Sequence, residues 1–127
     1  SLMVYQGIYH LKLVFQVLSG EGVHTPQFDE QVRLITADEV NWAYEKAKVI
    51  GWLEQRSFLN HRAESVTWKF IEIAEIHEVE NPEDGVLLCS YTVEPGNAQE
   101  YIESITIKAE KSLAISLSKE QTSSVSM

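Results

Sequence analysis

The stretch that decides the fold runs from Phe28 to Gly51 and reads FDEQVRLITADEVNWAYEKAKVIG. Its first half alternates, with Phe28, Val32 and Leu34 on one parity, which is typical of a half-buried strand that turns this parity towards the core. Residues 36–39, Thr-Ala-Asp-Glu, have the form of a helix capping box, with Asp38 as a rival N-cap. The sequence therefore predicts a strand that leads directly into a helix.

The predicted helix has one face of mostly small side chains. At about 100° per residue, the side facing the sheet is predicted to contain Val40, Ala43, Ala47, Ile50 and Gly51, with Tyr44 on its border. Small Ala and Gly side chains allow the helix backbone to approach a sheet closely. The stretch as a whole therefore indicates a helix that packs against its own strand.

Three further strands and a second helix are predicted along the rest of the chain. Residues 9–17 alternate with Tyr9 on the core side, and residues 66–79 form a long inner strand whose Phe70-Ile71 pair indicates a bulge or burial on both faces. A turn at 81–85 precedes a strand at 86–93, and Asn97 caps a helix from residue 98 towards 109 or 113. Residues 52–65 stay unassigned.

These elements follow the order ββαββα, which predicts an α+β fold with a four-stranded, mainly antiparallel sheet and two helices packed on one face. A length of 127 residues fits one domain, expected over residues 3–118, with a flexible tail over 119–127. Ser1 and Leu2 precede Met3 and resemble residues added for expression, so they are not counted as part of the fold.

Composition limits the classes of function. The chain has 19 acidic and 10 basic residues and a formal charge of −9, which opposes nucleic-acid binding. It has no signal segment and no apolar run long enough to cross a membrane, so we expect a cytoplasmic protein without a membrane partner. The single cysteine, Cys89, lies in an apolar stretch and is expected to be a buried, inert thiol.

Motifs for catalysis and cofactor binding are absent from the sequence. It contains no Gly-rich phosphate loop, no His-Glu-x-x-His and no Gly-x-Ser-x-Gly. The four histidines, His10, His24, His61 and His77, fall in different predicted elements without ligand spacing. We therefore expect no catalytic residue, no metal site and no cofactor, and the chain is more consistent with a non-catalytic interaction or assembly module than with an enzyme.

One face of the predicted sheet is the best candidate for a ligand site. Glu30 has the parity of the expected core side, where an unpartnered charge is costly, so it either reaches water or a basic partner, or is held in a pocket. His10, Lys12, Gln31 and Arg33 are expected on the polar face. This face is a solvated surface in one interpretation and a small-molecule or enzyme site in the other.

The outer flank of the first helix is the candidate interface. Trp42, Val49 and Leu53 lie at positions i, i+7 and i+11, away from the small-residue face. Because contiguous exposed apolar residues mark interfaces, they favour a symmetric homodimer. The alternative is that residues 52–65 fold back over this flank, with Phe58 and Leu59 covering it.

The run from Phe28 to Gly51, followed by SFLN and then VTWKFIEIAEI, resembles the DUF4288 family of small bacterial proteins. The positions that carry the resemblance are Phe28, Glu30, Leu34, Ala37, Ala43, Ala47, Gly51, Phe58, Asn60, Val66, Trp68 and Phe70. The chain departs from it just before the predicted strand at 66–79, with Ala63-Glu64-Ser65 where we expect a glycine. The resemblance implies a fold and a bacterial cytoplasmic origin, and no catalytic residue or ligand.

Overall fold

A computed structural model describes residues 6–20 and 24–125, with side chains described as far as residue 122. The chain divides into two compact units, Ser1–Ser90 and Tyr91–Met127. The elements are β1 (Gly7–Ser19), β2 (Gln27–Ala37), α1 (Val40–Glu54), β3 (Arg56–Leu59), β4 (Ser65–Val79) and α2 (Ala98–Val125). This confirms the predicted α+β class and the order ββαββα.

The four strands form one antiparallel sheet in the order β2-β1-β4-β3, so the two longest strands lie inside it. The pairing of β1 with β4 shifts twice. The partners of Val14 and Phe15 are Glu72 and Phe70, which leaves Ile71 as an extra residue, and a second shift follows Lys12. The bulge predicted at residues 70–71 and the central position of this strand are both confirmed.

The core lies between the sheet and α1. Leu11, Leu13 and Phe15 of β1 are fully buried, as their alternation predicts, and Ala43 and Ala47 of α1 pack against them. Burial of each large apolar side chain contributes about 1.5–3 kcal/mol. The predicted small-residue face of α1 therefore meets the sheet, although the predicted member Val40 is 47% exposed at the start of the helix.

The predicted capping box is wrong. The N-cap of α1 is Glu39, which makes no side-chain capping bond, and Thr36 instead lies within β2 opposite Ile8. The strand ladder continues through Ala37, so backbone pairing with β1 places Thr36 in extended structure before the helix begins. The Lys46 ammonium donates a hydrogen bond to the Thr36 carbonyl and ties α1 to the end of β2.

The predicted facing of β2 is also wrong. Ile35 and Ala37 are buried, whereas Phe28, Val32 and Leu34 are exposed. Ile35 stands opposite Tyr9, which faces the core, and paired residues of neighbouring strands share a face. Because side chains alternate with a period of two, this register turns the parity of Phe28 to the face opposite α1.

The fourth strand is not the one predicted. Residues 86–93 form no strand, and β3 lies instead at 56–59, within the unassigned segment. The turn at 81–85 does form, with Val86 N–H donating to the Glu83 carbonyl at 3.0 Å, but the chain that follows joins no ladder. The turn between β3 and β4 contains Ala63 at a positive φ of 60°.

The second unit contains α2. Its start is capped as predicted, since Asn97 Oδ1 accepts from Glu100 N–H at 2.9 Å, but the helix runs to Val125, beyond the predicted end. It therefore includes residues 119–125 of the predicted tail. The tail's flexibility, the single domain over 3–118 and the packing of this helix on the sheet stay predictions, and Ser1, Leu2 and residues 126–127 lie outside the described residues.

Candidate functional site

The sheet face opposite α1, here called the second face, carries a chain of charged side chains across three strands. Lys12 Nζ of β1 lies 2.9 Å from Glu75 Oε2 of β4 and 3.5 Å from Glu30 Oε1 of β2. Glu75 Oε1 in turn lies 3.1 Å from His77 Nε2. The side chains of Lys12 and Glu75 are about four-fifths buried, so this pair is better shielded from water than an ordinary surface ion pair.

Glu30 belongs to this second face and not to the core side that the sequence predicts. Its side chain is 60% exposed and pairs with Lys12, which is the basic partner that one of its two interpretations requires. A carboxylate in this position is in contact with water and also has its charge compensated by the Lys12 ammonium. Its role in a ligand pocket stays a prediction.

The remaining two candidate residues lie on the other face of the sheet. Gln31 and Arg33 stand opposite Leu13 and Leu11, which face α1. Arg33 donates to Gln31 Oε1 and lies 3.8 Å from Glu54 at the end of α1. The structure thus brings His10, Lys12 and Glu30 to one face and separates them from Gln31 and Arg33, because the register of β2 differs from the expected one.

His10 is the most enclosed polar side chain of the second face. It is 9% exposed, and its ring meets the ring of His77 edge to face at a centroid distance of 5.1 Å. Its Nε2 lies 3.7 Å from Cys89 Sγ, whereas its Nδ1 is buried without a hydrogen-bond partner among the described residues. Burial of an unsatisfied polar atom costs about 1–3 kcal/mol and is uncommon in native structures, so His10 is a candidate functional residue.

Sequence reasoning missed the contact between His10 and Cys89. The two residues are 79 positions apart, and the segment that carries Cys89 has no regular secondary structure. Because the sequence predicts a strand at 86–93, it gives no signal that this segment returns to the second face. Only the tertiary fold brings the thiol to the imidazole.

Metal binding has no support in the part of the chain that the structure describes. Across residues 6–20 and 24–125 there is no cluster of three His, Cys, Asp or Glu side chains with the geometry to hold a metal ion. In the same residues, neither helix is long and apolar enough to cross a membrane.

The outer flank of α1, consisting of Trp42, Val49 and Leu53, is exposed. The three side chains are 55%, 48% and 78% exposed, and a groove of about 450 Å³ runs along the helix beside the first two. The residues expected to cover the flank in the alternative interpretation lie elsewhere: Phe58 and Leu59 are in β3 and are themselves exposed. Residues 52–65 therefore do not cover the flank, and they leave it available to another molecule.

Comparison with known proteins gives one match. A family model described as a domain of unknown function, DUF4288, matches residues 8–90. The matched range contains β1 from its second residue, the other three strands, α1 and both His10 and Cys89. No curated protein and no solved structure matches the chain.

Proposed function

We propose a function for this chain, which belongs to the DUF4288 family, from its geometry alone. The description of the family states no activity. The protein is a non-catalytic interaction module that forms a homodimer through the outer flank of α1. The observation that carries the proposal is the row of Trp42, Val49 and Leu53, which are about half or more exposed along one side of a helix whose opposite side is buried in the core. Exposed aromatic and aliphatic side chains in a row are characteristic of interfaces.

The charges on the flank favour a second copy of the chain as the partner. Glu45 and Lys46 line the groove between Trp42 and Val49. In an antiparallel pair of α1 helices with the two-fold axis between residues 45 and 46, Glu45 faces Lys46 of the partner subunit. Trp42 then faces Val49 of the partner subunit, because the members of each pair are equally far from the axis. One surface thus supplies both halves of a self-complementary contact.

The expected dimer is a weak one. A single helix flank lies at the small end of specific interfaces, below about 1,200 Å² of total buried area, where complexes are often transient. We expect dissociation at about micromolar concentration.

We further propose that the protein acts in the bacterial cytoplasm. Neither nucleic acid nor membrane is its partner, since its charge of −9 repels phosphate.

The test is the mass of the protein in solution, measured by light scattering during size exclusion at tens of micromolar. The wild type should have about twice the chain mass, and Trp42→Glu should be a folded monomer, because a charge at the interface must be desolvated. Trp52→Glu is the matched control, since Trp52 is on the same helix, is 54% exposed and lies outside the flank. A monomeric wild type, or equal effects of the two substitutions, would remove the proposal.

A second candidate function is small-molecule binding or an unrecognised activity at the second face. The observation in its favour is the enclosed His10 beside the Lys12–Glu75 pair. A ligand that binds only the folded state raises the melting temperature, so a thermal-shift screen with metabolites tests this candidate. Saturable stabilisation that is lost in Lys12→Met would support it, and the absence of any stabilising compound would count against it.

A further inference from the structure

The contact between His10 and Cys89 has the composition of an activated thiol. The sulfur of Cys89 lies 3.7 Å from Nε2 of an imidazole that is itself more than nine-tenths buried. Cys89 is a free cysteine and is only partly buried. An imidazole that donates a hydrogen bond to the sulfur stabilises the thiolate, which is the nucleophilic form of cysteine.

The unsatisfied nitrogen of His10 decides which ring nitrogen carries the proton. Since Nδ1 has no partner among the described residues, a proton on Nδ1 would be a buried donor without an acceptor. In folded proteins, buried N–H groups without partners are rarer than acceptors without partners. The favoured neutral tautomer therefore has its proton on Nε2, where it points at Cys89 and stabilises negative charge on the sulfur.

The groups around His10 and Cys89 carry charges of both signs. The His77 ring lies against His10, Glu75 contacts His77 and Lys12, and Glu30 contacts Lys12 from the neighbouring strand. The carboxylates outnumber the lysine, and the whole chain carries a charge of −9. The excess of carboxylates repels anionic electrophiles, whereas it does not repel a small neutral molecule.

We propose that Cys89, with His10 as its hydrogen-bonding partner, is a site of oxidation by small neutral peroxides. The thiol releases its proton to water, and the thiolate attacks one oxygen of the peroxide. With hydrogen peroxide, a sulfur–oxygen bond forms, the oxygen–oxygen bond breaks, and the leaving hydroxide takes up the proton that the thiol released to water. The sulfur loses two electrons to the peroxide, and the products are a sulfenic acid and one molecule of water.

The experiment measures the rate at which hydrogen peroxide converts Cys89 to the sulfenic acid, trapped with dimedone and followed by intact mass at neutral pH. The reference is the same full chain unfolded in urea, in which Cys89 has no imidazole beside it. The folded wild type should react about tenfold faster than this reference, as expected for an activated thiol. His10→Phe should remove the advantage, and His77→Phe, which changes the ring packed against His10, should retain most of it.

The inference and the inert-thiol expectation give opposite results. If folding slows the reaction of Cys89, the thiol is inert and the inference is overturned. If His10→Phe reacts as fast as the wild type, the imidazole has no part in the reaction and the inference is likewise overturned. Should His10→Phe fail to fold, the ratio of rates between folded and unfolded wild type decides alone. The α1 dimer is unaffected by either outcome, since Cys89 lies outside α1.

Discussion

Gly51 shows how one residue sets the distance between α1 and the sheet. A Cβ atom at this position would lie 2.5 Å from Cδ1 of Phe70, which is far inside van der Waals contact. The absence of a side chain therefore allows α1 to rest on the Phe70 ring. The predicted small-residue face is explained by this contact, and the sequence could identify the face but not the ring that it meets.

We expect Gly51→Ala to destabilise the protein by about 1–3 kcal/mol, because the added methyl overpacks the core and forces α1 or Phe70 to move. Chemical denaturation measures the change in the free energy of unfolding. Gly96→Ala is the control, since a Cβ at Gly96 meets no atom within 4 Å. Equal stability of Gly51→Ala and wild type would show that the helix does not approach Phe70 as described.

Ala63 belongs to the stretch 63–65, where the chain departs from the expected glycine, and it has a positive φ of 60°. The turn around it is held by Asn60, whose Oδ1 accepts from the N–H groups of Arg62 and Glu64 at 2.8 and 3.0 Å. An L-residue in this left-handed conformation costs about 1–2 kcal/mol relative to glycine. The backbone of the turn is therefore slightly strained at Ala63. The missing glycine indicates an unusual turn, and the structure gives its φ.

We expect Ala63→Gly to raise the free energy of unfolding by up to about 1 kcal/mol, the relief of strain being partly offset by the greater freedom of glycine in the unfolded chain. The measurement is the midpoint of chemical denaturation. Ala63→Val should have the opposite effect, since a β-branched side chain tolerates positive φ least. A loss of stability in Ala63→Gly would contradict the described turn.

At the scale of elements, a hydrogen bond joins α1 to β4. The Tyr44 hydroxyl donates to Glu72 Oε1, and this bond, with burial and the charge of the carboxylate, raises the pKa of Tyr44 above its ordinary value of 10.0. A raised pKa in the folded state means that the neutral phenol stabilises the fold. The stabilisation is complete below pH 10.0 and is lost as the pH rises through the folded-state pKa.

We expect Tyr44→Phe to melt at a lower temperature than wild type at neutral pH and to lose less stability than wild type on passing to alkaline pH. Thermal melts across the alkaline range measure this difference. Some alkaline sensitivity should remain, because burial also raises the pKa of Tyr9. If wild type and Tyr44→Phe lose stability in parallel, the bond to Glu72 does not contribute.

The elements differ in how well their sequences predict them. The alternation of β1 identifies its buried side, because the large apolar residues of one parity, from Tyr9 to Val17, are all buried. In β2 the apolar residues lie mostly on the second face, and Asp29, Gln31 and Arg33 occupy the side of the core. The pattern of β2 thus gives the correct strand and the wrong face, since register with β1 overrides local alternation.

β3 escapes prediction for a different reason. It has four residues, all of them exposed, and its place in the sheet depends on pairing with β4. A strand of this kind has no burial pattern in the sequence. The segment 86–93 has the apolar content of a strand, but it finds no partner in the ladder. The number of strands is therefore predictable, and the identity of the fourth is not.

At the scale of the whole molecule, sequence reasoning identifies parts of two candidate surfaces. It places His10 and Lys12 together, and the structure adds Glu30, Glu75 and Cys89 to their surroundings. The Cys89 contact depends on a return of the chain across the sheet that no local pattern encodes. The outer flank of α1, in contrast, follows from helical periodicity alone, because only the spacing of its residues along one helix matters.

Disulfide trapping across α1 tests the proposed dimer most directly, with single cysteines introduced in a Cys89→Ser background. Glu45→Cys lies beside the two-fold axis and should form a covalent dimer on mild oxidation, because a disulfide needs Cα atoms within about 7 Å. Leu53→Cys lies on the same flank but about 11 Å along the helix from the axis, so its two copies should be too far apart to join. Equal trapping at both positions, or none at either, would contradict the antiparallel α1 dimer.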